Sequence, residues 1–326
     1  MRKQDQELSK KYKKNKRFEH VVSSLNEQLF HSQQNILENL EEKHPSIHIL
    51  GAPRSGTTLL SQLIPSYLPV GHINNLIATF WKAPIYGIEL SKKLIQQEYQ
   101  SNFTSDFGRT SAINEPHEFG YFWNYHLQYD DLTQKLKSHE KNIDWLQLST
   151  VIKNMTHSFQ KPIVFKSFLL GFHAKLFYET LPKSCFIYVK RNIVDNALSI
   201  IKLREKLNGD KNLWGSIKPK QYPQLKNLTV YEQVIGQILC LEHEYLEQLE
   251  TIPQKNKLIC NYEDICNDPT SFLEMVNQKF LTNSEIPIKN ISPFKINKRQ
   301  INVDDKKEIL SAIDKIHNLY PNLKTI

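Results

Sequence analysis

Ile47-His48-Ile49-Leu50-Gly51-Ala52-Pro53-Arg54-Ser55-Gly56-Thr57-Thr58-Leu59-Leu60 is a short apolar run, then a turn in which two glycines bracket four residues, then the opening of a second apolar segment. The first run reads as a buried strand, and Thr57 and Thr58 suit the start of a helix. A strand that turns tightly into a helix presents consecutive backbone N–H groups, and the positive end of the helix dipole, to whatever sits in the turn. The stretch therefore predicts an anion site at the carboxyl edge of a sheet. The one charged side chain in the turn is Arg54. Its planar fork pairs with two oxygens of a tetrahedral phosphate or sulfate.

The glycine spacing is that of the P-loop, but nucleotide kinases and ATPases place a lysine after the second glycine, to reach the terminal phosphates beside magnesium. Thr57 stands there instead. Pro53-Arg54-Ser55-Gly56-Thr57-Thr58 resembles the 5′-phosphosulfate loop of sulfotransferases that use 3′-phosphoadenosine 5′-phosphosulfate (PAPS). A second stretch, Phe186-Ile187-Tyr188-Val189-Lys190-Arg191-Asn192-Ile193-Val194-Asp195-Asn196-Ala197-Leu198-Ser199, resembles the same family's second motif. There an Arg at a strand end and a Ser eight residues later hold the 3′-phosphate; the resemblance assigns these roles to Arg191 and Ser199. By the residues alone, Phe186 to Val189 is a strand, Asn192 a helix cap with Asp195 at the third helical position, and Ile193, Val194, Ala197, Leu198 and Ile201 a helical stripe. Ser199 then falls on another face with Asp195 and Lys202. Without the first motif, the plainer reading is an arginine paired to a carboxylate and a solvated serine.

Leu258-Ile259-Cys260-Asn261-Tyr262-Glu263-Asp264, followed by Asp268-Pro269, resembles a third family segment, which implies that Tyr262 lies near the adenosine. A buried tyrosine satisfied by a carbonyl is the alternative. Asp268 before Pro269 caps a further helix, with Phe272, Leu273 and Val276 on its buried side.

Pro162-Ile163-Val164-Phe165-Lys166-Ser167-Phe168 is an apolar run ending in a lysine, and the carboxyl edge of an open α/β sheet is where ligands bind. The resemblance implies that Lys166 stabilises the bridging oxygen as sulfonate leaves. It also exposes a gap. Phe168 occupies the position of the histidine base of the cytosolic branch, and Asn74 and Asn75 occupy that of the glutamate of the protein-tyrosine branch. Amides are no general base, so the base is sought in Asn114-Glu115-Pro116-His117-Glu118-Phe119-Gly120-Tyr121-Phe122-Trp123, where two carboxylates and an imidazole meet turn residues. Glu115 ranks first, His117 second and Glu118 third, with His72 further off. The aromatics Phe119, Tyr121, Phe122, Trp123, Tyr125 and Tyr129 suit either an acceptor platform or a core helix.

The expected fold is a P-loop-containing three-layer α/β/α domain with a mostly parallel central sheet, strands near 47–51, 162–167, 185–190 and 257–262, and a largely helical insertion. Residues 1–44 read as a basic arm, helical or partly disordered, and 45–326 as the sulfotransferase-like domain, in which 70–160 shows no obvious strand and carries acceptor recognition. Of the net charge of +8, residues 1–17 hold +6 (eight Lys/Arg against Asp5 and Glu7). The remaining +2 is modest, and no nucleic acid partner is expected.

PAPS is the expected donor, with no metal: the transferred sulfonate has one formal charge, and the twelve histidines show no ligand spacing. The acceptor is a hydroxyl or amine of a carbohydrate, lipid headgroup or small molecule. No apolar run reaches membrane-spanning length, the charged start lacks a signal-peptide core, and the four cysteines form no CxxC pair, so a cytoplasmic setting is expected. The alternatives are a non-catalytic protein that binds PAPS or its product 3′-phosphoadenosine 5′-phosphate (PAP) and, disfavoured by Thr57, a P-loop nucleotide kinase.

Overall fold

In the computed structural model, which describes residues 15–281, 288–296, 298 and 301–323, the apolar runs become strands that are all parallel. They are β1 (Ser46–Leu50), β2 (Gly71–His72), β3 (Ile163–Lys166), β4 (Cys185–Lys190) and β5 (Lys257–Asn261), in the order β2-β3-β1-β4-β5. The α-helices are α1 (Lys16–Ile36), α2 (Thr57–Tyr67), α3 (Pro84–Leu94), α4 (Gly120–His126), α5 (Trp145–Phe159), α6 (Ala174–Thr180), α7 (Ile193–Asn208), α8 (Tyr222–Leu225), α9 (Val230–Glu250), α10 (Tyr262–Asn267), α11 (Pro269–Phe280) and α12 (Val303–Leu319).

A parallel sheet buried on both faces needs apolar side chains at every strand position, because successive residues point to opposite sides. Ile47, Ile49, Ile187 and Val189 join Leu60, Leu63, Ile265 and Phe272 of α2, α10 and α11 on one face. Leu50, Phe165, Phe186 and Tyr188 join Trp123, Leu148, Phe177 and Leu241 of α4, α5, α6 and α9 on the other. Three layers result. A further cluster joins Ala197 and Ile200 of α7 to α9 and α12.

His48 points into the second of these faces. It stacks on Phe165 with centroids 5.2 Å apart and lies 2.8 Å from Ser46 Oγ through Nε2. Burial pushes its imidazole down to about 3, and that of His126 also to about 3. Both titrate near 6.5 in the unfolded chain, so below that pH the unfolded state binds more protons and stability falls with acid. Each histidine is expected to remove about 1.4 kcal/mol per pH unit once the pH is below 6.5. Melting temperatures measured from pH 7 to pH 4.5 should drop steeply and less so in His48→Phe; a flat profile contradicts buried neutral histidines.

One expectation needs correction. The interval 70–160 does contain a strand: β2 pairs with β3 through Gly71 opposite Ile163 and His72 opposite Val164. Two residues carry no apolar run or alternation, and Gly71 is small because a Cβ there would lie 2.8 Å from the Phe159 ring. The rest of the interval holds α3, α4 and α5, but residues 95–119 form no helix.

Within the predicted basic arm, α1 is capped by Asn15 and held by two buried amides. Asn26 donates to Thr79 O (2.7 Å) and accepts from Lys82 N (2.8 Å), and Gln33 donates to Lys82 O (3.1 Å) and accepts from Ile85 N (2.9 Å). Arg2, Lys3, Lys10, Lys11, Lys13 and Lys14 lie outside the described residues.

Candidate functional site

The loop leaves β1, the middle strand, where neighbours on its two sides, β3 and β4, belong to different crossovers, and such a switch point opens a crevice. At Gly51 a Cβ would meet Ser55 Oγ at 2.5 Å and Val189 O at 2.6 Å, so the turn closes only with glycine. Gly56 has φ of 111° and caps α2, and a Cβ on it would lie 2.4 Å from the Tyr262 ring. Gly56→Ala is expected to lower stability by roughly 1–3 kcal/mol, through the left-handed backbone and the displaced ring, as read by denaturant unfolding. Unchanged stability would mean that Tyr262 is not seated on the loop.

The cations converge on this turn. Arg54, itself at φ of 68°, donates from Nε to Ser199 Oγ (3.2 Å). Arg191 donates from Nη1 to Arg54 O (3.2 Å), and its guanidinium lies 4.7 Å over the Tyr262 ring. Arg191 and Ser199 are thus each tied to Arg54. Burial first, with other contacts, pushes the Tyr262 phenol up to about 12, so it stays protonated. From the end of β3, Lys166 Nζ reaches Thr58 Oγ1 (2.8 Å), Glu118 Oε1 (2.8 Å) and Gly108 O (3.5 Å). Arg54, Thr58, Gly108, Glu118, Lys166, Arg191 and Tyr262 line a cavity of about 430 Å³, with Pro53, Thr57, Phe168, Arg109 and Lys295 also on its wall, while Ser199 lies buried behind Arg54.

Glu118 keeps 43% of its side chain exposed. Crowding works to raise its carboxyl, but the charge and hydrogen bond of Lys166, helped by His117 and Arg109, outweigh that and hold it below the ordinary value.

The other residues drawn from the 114–123 stretch go elsewhere. Glu115 is buried and off the cavity wall, accepting from Gln62 Nε2 (2.9 Å), Tyr99 Oη (3.0 Å) and Ser101 Oγ (3.0 Å). His117 accepts through Nδ1 from Phe119 N (2.9 Å) at the turn into α4, where Phe119 takes φ of 54°. His72 lies 2.8 Å from Asn114 O, and burial lowers it to about 4. Asn74 accepts from Ile77 N, and Asn75 donates to Ala112 O. Phe119, Phe122 and Trp123 are core, so α4 offers no acceptor platform; the wall comes instead from Phe103, Phe107, Gly108, Arg109, Leu132 and Phe168. Sequence reading missed the 103–109 segment, whose one signal is Asp106-Phe107-Gly108, a turn pattern. It missed Lys295 too.

Among the described residues, His243, Glu244 and Glu247 on α9 bring three possible metal-ligand atoms within 4.8 Å, away from the cavity wall. Glu244 already pairs with Lys220 and accepts from Gln134.

A sequence model described as "Sulfotransferase family" matches residues 45–280. Sulfotransferase STF1 from Mycobacterium tuberculosis has a similar structure: TM-score 0.51, 13% identity, covering 97% of this chain and 87% of that one. Sulfotransferase STF9 from Mycobacterium avium is more distant, at TM-score 0.46 and 13% identity over 91% of this chain and 73% of that one. A search of curated protein sequences found no match. The STF1 likeness supports the P-loop fold, a three-layer α/β arrangement on a parallel sheet.

Proposed function

Because the chain belongs to the sulfotransferase family, we propose that it transfers a sulfonate group from PAPS to a hydroxyl or amine of an acceptor, a glycan or small molecule, with Glu118 as general base. One observation carries this reading: Lys166 Nζ lies 2.8 Å from Thr58 of the anion loop and 2.8 Å from the Glu118 carboxylate, joining a leaving-group site to a base within one cavity.

The residues present fit the donor. Ser55 Oγ is buried with no hydrogen-bond partner, the N–H groups at the start of α2 follow Gly56, and Arg54 and Arg191 flank them. Bound there, PAPS would supply the sulfonate and a phosphate leaving group. Arg54, Thr57 and Thr58 would then hold the 5′ end, Arg191 and Ser199 the 3′-phosphate, and Tyr262 the side nearer the adenosine.

Transfer would be an in-line displacement: the acceptor's oxygen or nitrogen bonds to sulfur as the bond from sulfur to the bridging oxygen breaks. Negative charge grows on that oxygen, and donors fixed around it stabilise the transition state more than the ground state. Lys166 would hydrogen-bond it. The acceptor proton would pass to Glu118, whose carboxyl Lys166 holds below its ordinary value against the pull of burial. As Lys166 shares its charge with the departing oxygen, its grip on Glu118 weakens and the carboxylate gains basicity where a proton must be taken. Phe168 and Leu132 add apolar side chains to the wall of the same cavity.

Glu115 takes a different part, anchoring the 99–104 segment to Gln62. Glu118→Gln is expected to keep PAP affinity and lower transfer by about 100-fold or more, read as PAP release from PAPS with a panel of alcohols, phenols and amines. Glu115→Gln should lower the melting temperature and spare turnover per folded molecule. The reverse pattern would return the base to Glu115. No described helix is long and apolar enough to cross a membrane, and all four cysteines are free; we place the protein in the cytoplasm, where free thiols persist.

A further inference from the structure

The segment over the loop is built with unusual backbone. Asp106 N donates to Arg109 O (2.9 Å) and Arg109 N to Asp106 O (3.1 Å), while the two central residues, Phe107 and Gly108, take φ of 52° and 89°. Positive φ at both centres makes the tightest hairpin turn, and for a phenylalanine it is strained, so it persists where contacts hold it. The contacts are with the candidate site. The Arg54 guanidinium lies 5.3 Å from the Phe107 ring centre, and Lys206 Nζ, from α7, lies 4.8 Å from it. Lys206 also pairs with Asp106 at 3.3 Å. Gly108 turns its carbonyl to Lys166 Nζ at 3.5 Å, and a Cβ there would stand 3.3 Å from Thr58 Oγ1 and 3.6 Å from Arg54 Nη1.

We infer that the turn Asp106-Phe107-Gly108-Arg109 is a positioning element, with Phe107 holding the Arg54 fork and the Gly108 carbonyl holding Lys166 before a donor binds. What the two cations do rests on the function proposed above; that the turn braces them does not. An arginine has many rotamers, and an aromatic face beside the guanidinium removes most of them at little cost in charge. The Asp106–Lys206 pair fastens the turn to the helix that bears Ser199. Glycine suits position 108 because φ of 89° strains any residue with a Cβ, and that Cβ would also crowd Thr58 Oγ1.

The test compares Phe107→Ala, Phe107→Leu and Phe107→Tyr with the unaltered chain. In the unliganded protein, amide exchange across 51–58 should speed up in the Ala and Leu variants and return to the original rate in the Tyr variant, which restores the aromatic face. Transfer should fall about 10- to 100-fold in the Ala and Leu variants through turnover, with PAP affinity within about threefold, and recover in Tyr. Exchange unchanged in Phe107→Ala, or full activity in Phe107→Leu, overturns the inference. So does a loss in which melting temperature, affinity and turnover fall together. If the unaltered chain fails to bind PAP, sulfonate transfer falls as a reading, while the exchange measurement still decides whether the turn braces the loop.

Discussion

Replacing Lys166 with alanine is expected to lower sulfonate transfer by about 10²–10³-fold, with PAP affinity reduced far less. The lysine is 6% exposed, at the end of β3, and its ammonium lies within hydrogen-bond reach of both Thr58 and Glu118. Removing it deletes a donor whose interaction strengthens as charge appears on the bridging oxygen, which is the signature of a turnover effect. Stability should survive, because the abandoned partner, Glu118, is 43% exposed and can be hydrated. Release of PAP from PAPS, set beside calorimetric PAP affinity, separates the two effects. Retention of more than a tenth of the turnover would remove Lys166 from the transition state.

Arg54→Ala is expected to cost more, about 10³-fold in transfer, and to weaken PAP binding as well. Arg54 accepts Arg191 at its carbonyl and donates to Ser199, so its loss loosens the groups assigned to both ends of the donor. Arg54→Lys sharpens the argument. It keeps the charge at the same φ of 68° but loses the planar fork, so it should recover less than a tenth of the lost activity. Near-complete recovery in Arg54→Lys would show that net charge in the loop suffices, and the bidentate geometry would be wrong.

The parts of this site that the sequence discloses are those built from local chain. Strand, glycine-bounded turn and helix follow one another between Ile47 and Leu60, so Arg54 and the amides of α2 could be placed from spacing; around the Asn192 cap spacing gives only strand, cap and helix, and the roles of Arg191 and Ser199 come from the family resemblance. Lys166 is legible because an apolar run ends on it. The choice among Glu115, His117 and Glu118 is not local. Glu115 is claimed by Gln62, 53 residues away, and by Tyr99 and Ser101, while the left-handed Phe119 turns the chain into α4. Nothing in the pattern of residues 114–119 encodes those partners. Between the platform and the core helix that the aromatics left open, Phe119, Phe122 and Trp123 take the core: Phe119 stacks on Phe122 with centroids 4.4 Å apart, where burial of large rings outweighs any use at the surface. The Asp106–Arg109 turn lay in a stretch without period, and β2 was too short to show one.

The central claim, that this cavity holds an adenosine nucleotide phosphorylated at both the 3′ and 5′ positions, is tested most directly by calorimetric titration with PAP, with ATP and magnesium as the comparison and Arg191→Ala as the control. The account predicts micromolar or tighter binding of PAP, weak or absent binding of ATP, and loss of the PAP signal in Arg191→Ala. Preference for ATP, or PAP binding untouched by Arg191→Ala, would contradict it.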